Sequence, residues 1–353
     1  MSRVLVTGGA GFIGSHVVDA LVATGHEVRV LDLLHPAAHR DQPEYLNAAA
    51  EYVWGDAADR EVAAAAVEGV DAVCHHAAVV GMGMDFADAA GYVAHNDLGT
   101  AVLLAALHSR RRPVDRLVLA SSMVVYGEGR YRCAAHGVVR PRSRATARLE
   151  AGEWEPRCPD CAGALAGEPV PEDAPVDPRN VYAATKLHQE HLCFVFGREH
   201  PEVAVTALRY HNVYGPRMPR DTPYAGVAAI FRSALANGCA PEVYEDGCQR
   251  RDFVHVHDVA RANLRALAAA PPVTGPLNIA SGTPRTVLDM AQALTAAFPG
   301  APAPVVTGRY RLGDVRHVVG DTTTARERLA FTAEVDFDHG MHELAHTAPR
   351  AGT

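Results

Sequence analysis

Tyr182 and Lys186 stand four positions apart in Val-Tyr-Ala-Ala-Thr-Lys, a spacing that puts both side chains on one face of a helix. A phenol and an ammonium so placed suit proton transfer at a hydroxyl oxygen. A free phenol has a pKa of about 10, so acting as a base near pH 7 requires a depression of roughly three units, worth about 4 kcal/mol. A lysine ammonium one turn away acts in that direction. Upstream, Ser122 ends the segment that starts with the apolar run Leu117–Ala120, where its hydroxyl can hydrogen-bond the same reacting oxygen. The Tyr-x-x-x-Lys spacing alone is common by chance. Following such a serine, it reads as acid/base apparatus for reversible hydride transfer at a carbinol carbon.

A hydride needs an acceptor. Thr7-Gly-Gly-Ala-Gly-Phe-Ile-Gly14 follows a short apolar run and opens a helical pattern, with Gly8, Gly11 and Gly14 in GxxGxxG spacing. Such glycines allow a tight turn, let backbone approach a pyrophosphate and let helix pack on strand, while the helix N-terminus offers N–H groups to the phosphates. Asp32 ends the second apolar run, where its carboxylate would accept hydrogen bonds from ribose hydroxyls and repel a 2′-phosphate. NAD rather than NADP is therefore expected, and its positive nicotinamide ring would join Lys186 in depressing Tyr182. Asp56, in Trp-Gly-Asp-Ala after the third run, could bind the adenine amino group or be a plain turn residue.

A third group sits between the serine and the tyrosine. Cys133-Ala-Ala-His136 and Cys158-Pro-Asp-Cys161 form two bidentate knuckles. Three thiolates and an imidazole suit tetrahedral Zn²⁺, and four protein ligands would close the site, so a structural metal is expected. A Cys158–Cys161 disulfide is the weaker alternative in a reducing compartment. Cys74, Cys193, Cys239 and Cys248 lack such spacing and read as plain thiols. The pairs His75-His76 and His255/His257 have no carboxylate or thiolate at ligand spacing, and no metal is expected there.

The elements that must position these groups are legible as periodic runs. Val4–Val6, Val28–Leu31, Tyr52–Trp54, Ala72–Cys74, Leu117–Ala120 and Val203–Leu208 read as buried parallel strands. Helical patterns cover Phe12–Ala23, Arg60–Val67, a long stretch from about Phe86 to Arg111, Val181–Glu199 and Val227–Asn237. The alternation implies an α/β fold with a doubly wound, Rossmann-type parallel sheet and ligands at the carboxyl ends of its strands. Asp252–Val256 reads as a strand returning to that sheet. Residues 1–210 are expected to form the nucleotide-binding domain, with a returning segment at about 252–270. Residues 211–251 and 271–353 would build a smaller, discontinuous substrate domain. Residues 127–182 are rich in Arg, Pro, Gly and Glu and too long for an ordinary strand-to-helix connection. An insertion is placed at about 130–165, where a metal could supply the missing core.

Composition narrows the classes. Of 353 residues, 48% are apolar, enough for a large core, and the formal charge of −8 offers no general attraction for nucleic acid or anionic lipid. No run is apolar enough to span a bilayer. The first strand begins almost at Met1, without a charged leader or cleavage site, so a cytoplasmic protein is expected, with its cysteines as thiols or metal ligands.

Together these stretches resemble the NAD-dependent nucleotide-sugar epimerase/dehydratase family, extended short-chain dehydrogenases/reductases. The resemblance runs through TGGAGFIGSH, HHAA, Asn96-Asp-Leu-Gly-Thr, SSMVVYG, YAATK, LRYHNVYGPR, RRDFVHVHDVA and RLGDVRH, covering nearly the whole chain. It implies Ser122 and Tyr182 as the catalytic pair and Lys186 on the nicotinamide ribose. Phe12, Ile13, Ala57, Ala77, Ala78, Asn96 and Ser121 would join Gly8, Gly11, Gly14, Asp32, Asp56, Tyr182 and Lys186 around NAD. Ser122, Met123, Asn212, Val227, Arg251 and Arg316 would contact a nucleotide-diphosphate sugar, with Arg251 on a phosphate and Arg316 assisting. The family also implies a homodimer through the helices of Phe86–Arg111 and Val181–Glu199.

One departure is informative. Dehydratases of the family carry adjacent Asp-Glu after the catalytic hydroxyl residue, to protonate and deprotonate the sugar during loss of water; Met123 and Val124 stand there instead. Epimerases take apolar or hydroxyl residues at those places. The insertion, with LDLLHPAAHRDQPEYL, TPYAGVAAIFRSAL and YRLGDVRHVVGDTTTAR, makes the chain most similar to dTDP-L-rhamnose 4-epimerase-like proteins. The expected activity is C4 epimerisation of a dTDP- or UDP-hexose or deoxyhexose through a transient 4-keto sugar. Alternatives are a 4-ketoreductase or decarboxylase of the same family and, in another class, a catalytically silent dinucleotide sensor.

Overall fold

The computed structural model describes residues 2–36, 38–39, 41–81, 86–219 and 226–347. Seven strands form one parallel sheet: Arg3–Thr7, Glu27–Asp32, Glu51–Trp54, Ala72–His75, Arg116–Ser122, Ala204–Tyr210 and Gly275–Ile279. Numbered along the chain, their spatial order is third, second, first, fourth, fifth, sixth, seventh. The direction reverses between Arg3–Thr7 and Ala72–His75, so a crevice opens beyond their carboxyl ends. The expected doubly wound sheet is present.

Strand alternation builds two cores. Val4, Val6, Val28, Val30, Cys74 and Val118 face one side with Val17, Val18, Leu21, Val259 and Ala262, from the helices Phe12–Ala23 and Val256–Ala268. Leu5, Leu31, Val73, Leu117 and Leu119 face the other with Ala66, Leu103, Leu107, Cys193 and Phe196, from Arg60–Val67, Gly99–His108 and Val181–Glu199. Both faces are covered, which is why these strands read as continuous apolar runs.

Two expectations are corrected. The Asp252–Val256 stretch does not return to the main sheet. Arg250–His255 lies in a smaller one, parallel to Asn212–Tyr214 and, through Arg250 and Arg251, to His317–Val318, and antiparallel to Pro284–Thr286. Gly275–Ile279 takes the place beside Ala204–Tyr210. The physical reason is composition: Leu277 and Ile279 are wholly buried, whereas Arg250, Arg251 and Asp252 would put charge into the main sheet. The second correction concerns Phe86 to Arg111, which is not one α-helix. A 3₁₀ turn Phe86–Asp88 and an α turn Ala89–Tyr92 lead into a π-helical stretch Val93–Leu98, then the α-helix Gly99–His108. The π stretch holds buried Asn96, whose amide makes three hydrogen bonds.

The insertion is a small antiparallel sheet with Arg130–Cys133 between Gly137–Val139 and Leu165–Glu168. Between Tyr126 and Val170 the buried hydrophobic residues are Tyr131, Cys133, Leu149 and Cys158. Two of the four are candidate metal ligands, so this sheet has almost no apolar core of its own.

Candidate active site and metal knuckles

Ser122 closes its strand and caps the following 3₁₀ turn, its Oγ accepting the Val124 N–H at 3.3 Å. Tyr182 lies in the first turn of Val181–Glu199, a helix set by Asn180, whose Oδ1 accepts the Ala183 N–H at 2.8 Å. The Ser122 hydroxyl lies near enough to the Tyr182 phenol to act on its ionisation. Burial pushes the Tyr182 phenol up to about 12, the Ser122 hydroxyl acting against that and Tyr92 with it. The depression assigned to Lys186 is thus not produced by the protein's own groups. Lys186 is 3% exposed, and its Nζ is turned to Gln189 Oε1 at 2.7 Å. Burial lowers its ammonium to about 8.

That lysine heads a buried relay. Gln189 Nε2 donates to Thr100 Oγ1 at 2.7 Å, and Thr100 Oγ1 donates to the Asn96 carbonyl at 2.6 Å. The hydroxyl hydrogen of Thr100 is thereby used, so His75 Nε2, 2.9 Å away, must be the donor between them. His75 Nδ1 then accepts from Thr7 Oγ1 at 2.6 Å, and Thr7 Oγ1 accepts the Ala77 N–H at 3.1 Å. Burial lowers His75 to about 3, keeping it neutral as this tautomer requires. The relay ties Lys186 to the end of the first strand, where the glycine turn begins.

In that turn Gly8 has φ +69°, and a Cβ there would lie 2.7 Å from the Ala77 nitrogen; a Cβ on Gly14 would run into the Gly8 carbonyl. Gly11 is the N-cap of Phe12–Ala23 and supplies no side-chain cap, so the Phe12 and Ile13 N–H groups are open to an anion. Asp32 Oδ2 accepts the Ala10 N–H at 2.9 Å and Oδ1 the Leu34 N–H at 2.8 Å. Asp56 Oδ1 accepts the Ala58 N–H at 2.9 Å, and Oδ2 lies 3.9 Å from His95 Nδ1. Ala57 is buried, Ala77 and Ala78 partly so. The turn fits a dinucleotide.

Two residues assigned to the cofactor point elsewhere. Asn96 binds the Val79 backbone from both amide atoms, at 2.7 and 3.0 Å, and donates to Thr185 Oγ1 at 2.9 Å, so it positions the loop after Ala72–His75. Ser121 gives its hydroxyl to Glu190 Oε1 at 2.5 Å. Glu190 also holds Arg209 bidentately at 2.9 and 2.8 Å, a buried pair beneath the catalytic strand that sequence reading missed.

On the substrate side, Asn212 Oδ1 is buried without a hydrogen-bond partner among the described residues. Arg251 donates to the carbonyls of Arg250 (2.9 Å), Arg316 (2.9 Å) and Val315 (2.7 Å). Burial lowers it, with the carboxylates of Asp314, Glu128 and Glu245 acting against that, and the guanidinium is partly buried and held by backbone carbonyls. Arg316 is different: 1% exposed, its guanidinium is bound by Glu155, Glu245 and Asp246 at 2.7 to 3.0 Å. A diphosphate would have to displace three carboxylates, so Arg316 is a scaffold cation here. Met123 is buried, and Val227 opens the helix Val227–Ala236. Residues 220–225, which include the first four of the TPYAGVAAIFRSAL match, lie outside the described residues.

The two knuckles meet. Cys133 Sγ is 3.6 Å from His136 Nδ1 and 3.7 Å from Cys161 Sγ, Cys158 Sγ is 3.5 Å from His136 Nδ1, and the four atoms lie within 4.8 Å of one another. Tetrahedral zinc with bonds of about 2.3 Å to sulfur and 2.0–2.1 Å to nitrogen has edges of about 3.8 and 3.6 Å. N–H groups of Ala135 and His136 pull the Cys133 thiol down to about 6. The residues fit the ion. Elsewhere the fold brings Glu343 to 3.3 Å from His255 Nε2, with His257 alongside, a carboxylate that local spacing could not reveal.

A family model described as NAD dependent epimerase/dehydratase matches residues 4–144 and 159–280. A dTDP-L-rhamnose 4-epimerase of Burkholderia thailandensis is 34% identical over 97% of this chain and 93% of its own. Among solved structures, UDP-glucose 4-epimerase of Thermotoga maritima with UDP-glucose superposes with a TM-score of 0.78 at 29% identity, over 97% of each chain. The NAD complex of UDP-glucose 4-epimerase from Thermus thermophilus gives 0.74 at 29%, with the same coverage.

Proposed function

Because the chain belongs to the NAD dependent epimerase/dehydratase family, we propose that it inverts C4 of a dTDP- or UDP-linked hexose or deoxyhexose. The carrying observation is the placement of Ser122, at the end of the fifth main-sheet strand, where its hydroxyl acts on the buried Tyr182 phenol, with Lys186 one helical turn on. Tyr182 takes the C4 hydroxyl proton, Ser122 holds that oxygen, and Lys186 orients the nicotinamide ribose. NAD, when bound by Gly8, Gly11, Gly14, Phe12, Ile13 and Asp32, supplies the hydride acceptor at C4 and the donor on its return. The 4-keto sugar turns within the pocket, and Tyr182 returns the proton. Arg251 and Asn212 hold the diphosphate, which lets the sugar swing without leaving. Met123 and Val124 provide neither the acid nor the base that elimination of water would need.

Incubation with a panel of UDP- and dTDP-sugars, followed by NMR, should show the C4 epimer of one of them forming without added reduced cofactor, and denatured protein should release NAD. Product only at the expense of external NADH or NADPH would instead mark a ketoreductase, and released NADP would contradict the role of Asp32.

The reading includes a structural zinc on Cys133, His136, Cys158 and Cys161. About one zinc per chain should co-purify, as a closed four-ligand site requires, and Cys158→Ser should remove most of it. Metal analysis finding none, in protein kept reduced and free of chelators, would refute the site. A reducing, cytoplasmic setting suits these thiolates. Among the described residues no helix is long and apolar enough to cross a membrane. Leu98 and Val195, exposed on neighbouring helical stretches, support a homodimer through those helices.

A further inference from the structure

Each metal knuckle carries, just ahead of its first cysteine, a side chain that leaves the insertion and holds the Val315–His317 segment. Tyr131, two residues before Cys133, accepts the His317 N–H at 3.1 Å and donates to Glu128 Oε1 at 2.8 Å. Glu128 Oε1 accepts the Arg316 N–H at 2.7 Å. Glu155, three residues before Cys158, places Oε1 2.8 Å from Arg316 Nε and Oε2 3.1 Å from His317 Nε2. Although burial raises it, hydrogen bonds from His317 and Arg316 hold the Glu155 carboxyl down to about 2, so it is an anion at any working pH. From the same insertion Arg144 pairs with Glu245, which also binds Arg316. Backbone oxygens of Val315 and Arg316, held in this way, are two of the three carbonyls that grip the Arg251 guanidinium.

The insertion therefore reaches the proposed diphosphate cation in two steps. Tyr131 is set by its strand register, opposite Val139 and Gly167, and Cys133 continues that strand opposite Gly137 and Leu165. With so little apolar core in the insertion, that register depends on what joins the knuckles. We infer that Tyr131 and Glu155 are positioning residues for Arg251, and that the knuckles, by fixing them, set affinity for the nucleotide diphosphate rather than the proton transfer at Tyr182. The inference rests on the diphosphate role of Arg251 proposed above.

The test uses full-length protein carrying Tyr131→Phe or Glu155→Gln, both of which keep all four ligands, beside Cys158→Ser and Arg251→Met. Zinc content, released NAD, binding of dTDP and UDP by calorimetry, and KM and kcat for the sugar nucleotide turned over by wild type are measured. Tyr131→Phe and Glu155→Gln should keep wild-type zinc and NAD, weaken the nucleoside diphosphate and raise KM by about tenfold, and leave kcat within about twofold. Cys158→Ser should show the same weakening with its zinc lost. Unchanged dissociation constants and KM in Tyr131→Phe and Glu155→Gln, with Arg251→Met weakened, would overturn the inference alone. Joint loss of kcat, NAD and KM would overturn it too, marking general loosening. If wild type binds the nucleoside diphosphate and Arg251→Met binds it equally well, the role of Arg251 falls and the inference falls with it.

Discussion

Tyr182→Phe is expected to lower kcat by about two to four decades, the usual share of a general acid/base, while bound NAD and KM stay near wild type. The substitution removes one oxygen and keeps the ring, which sits 6.2 Å from that of Tyr92 at a tilt of 49°. The oxygen is the group on which the Ser122 hydroxyl acts. Burial drives its pKa up to about 12, so the phenolate is unfavourable until opposite charge arrives near it. The Lys186 ammonium, which donates to Gln189 Oε1 at 2.7 Å, has two further N–H donors. Held down to about 8 by burial, that ammonium is charged at neutral pH and discharged as the pH rises past that value. The comparison therefore belongs near pH 7, by steady-state kinetics with the nucleotide content of each preparation determined. A kcat within a few-fold of wild type would remove Tyr182 from the chemistry.

The groups that do this chemistry were legible because their relations are local. Four positions on one helix tie Tyr182 to Lys186, and three positions define each knuckle. The glycine turn between a strand and a helix is equally short-range. What spacing could not show is partner choice across the fold. Arg316 carries the charge expected of a phosphate ligand, but Glu155, Glu245 and Asp246 converge on it from far along the chain. The Glu190–Arg209 pair is of the same kind, joining a helix to the next strand. Ser121 was within reach of sequence reasoning: successive strand residues face opposite ways, so Ser121 and Ser122 cannot both serve one site. Gln189, three positions after Lys186 on its helix, was also within reach. The π-helical turn at Val93–Leu98 had no signature in the apolar pattern, which fits an unbroken α-helix equally well.

The small sheet shows a further limit. Arg250–His255 has the apolar tail of a core strand, but its charged start finds a place only beside His317–Val318 and Pro284–Thr286, whose nearness is a property of the whole fold. That sheet supplies Arg251, so the misplaced strand is also the one on which substrate affinity is argued to depend.

Substrate carrying deuterium at C4, converted in ordinary water, reports most directly on the proposed inversion. If Tyr182 moves only the hydroxyl proton while the C4 hydrogen leaves and returns inside the closed pocket, the epimer should keep its deuterium at C4, as mass spectrometry and NMR of the product will show. Deuterium replaced by solvent hydrogen would contradict that route, because exchange at carbon requires deprotonation beside a carbonyl, a different reaction from the one assigned to Ser122, Tyr182 and Lys186.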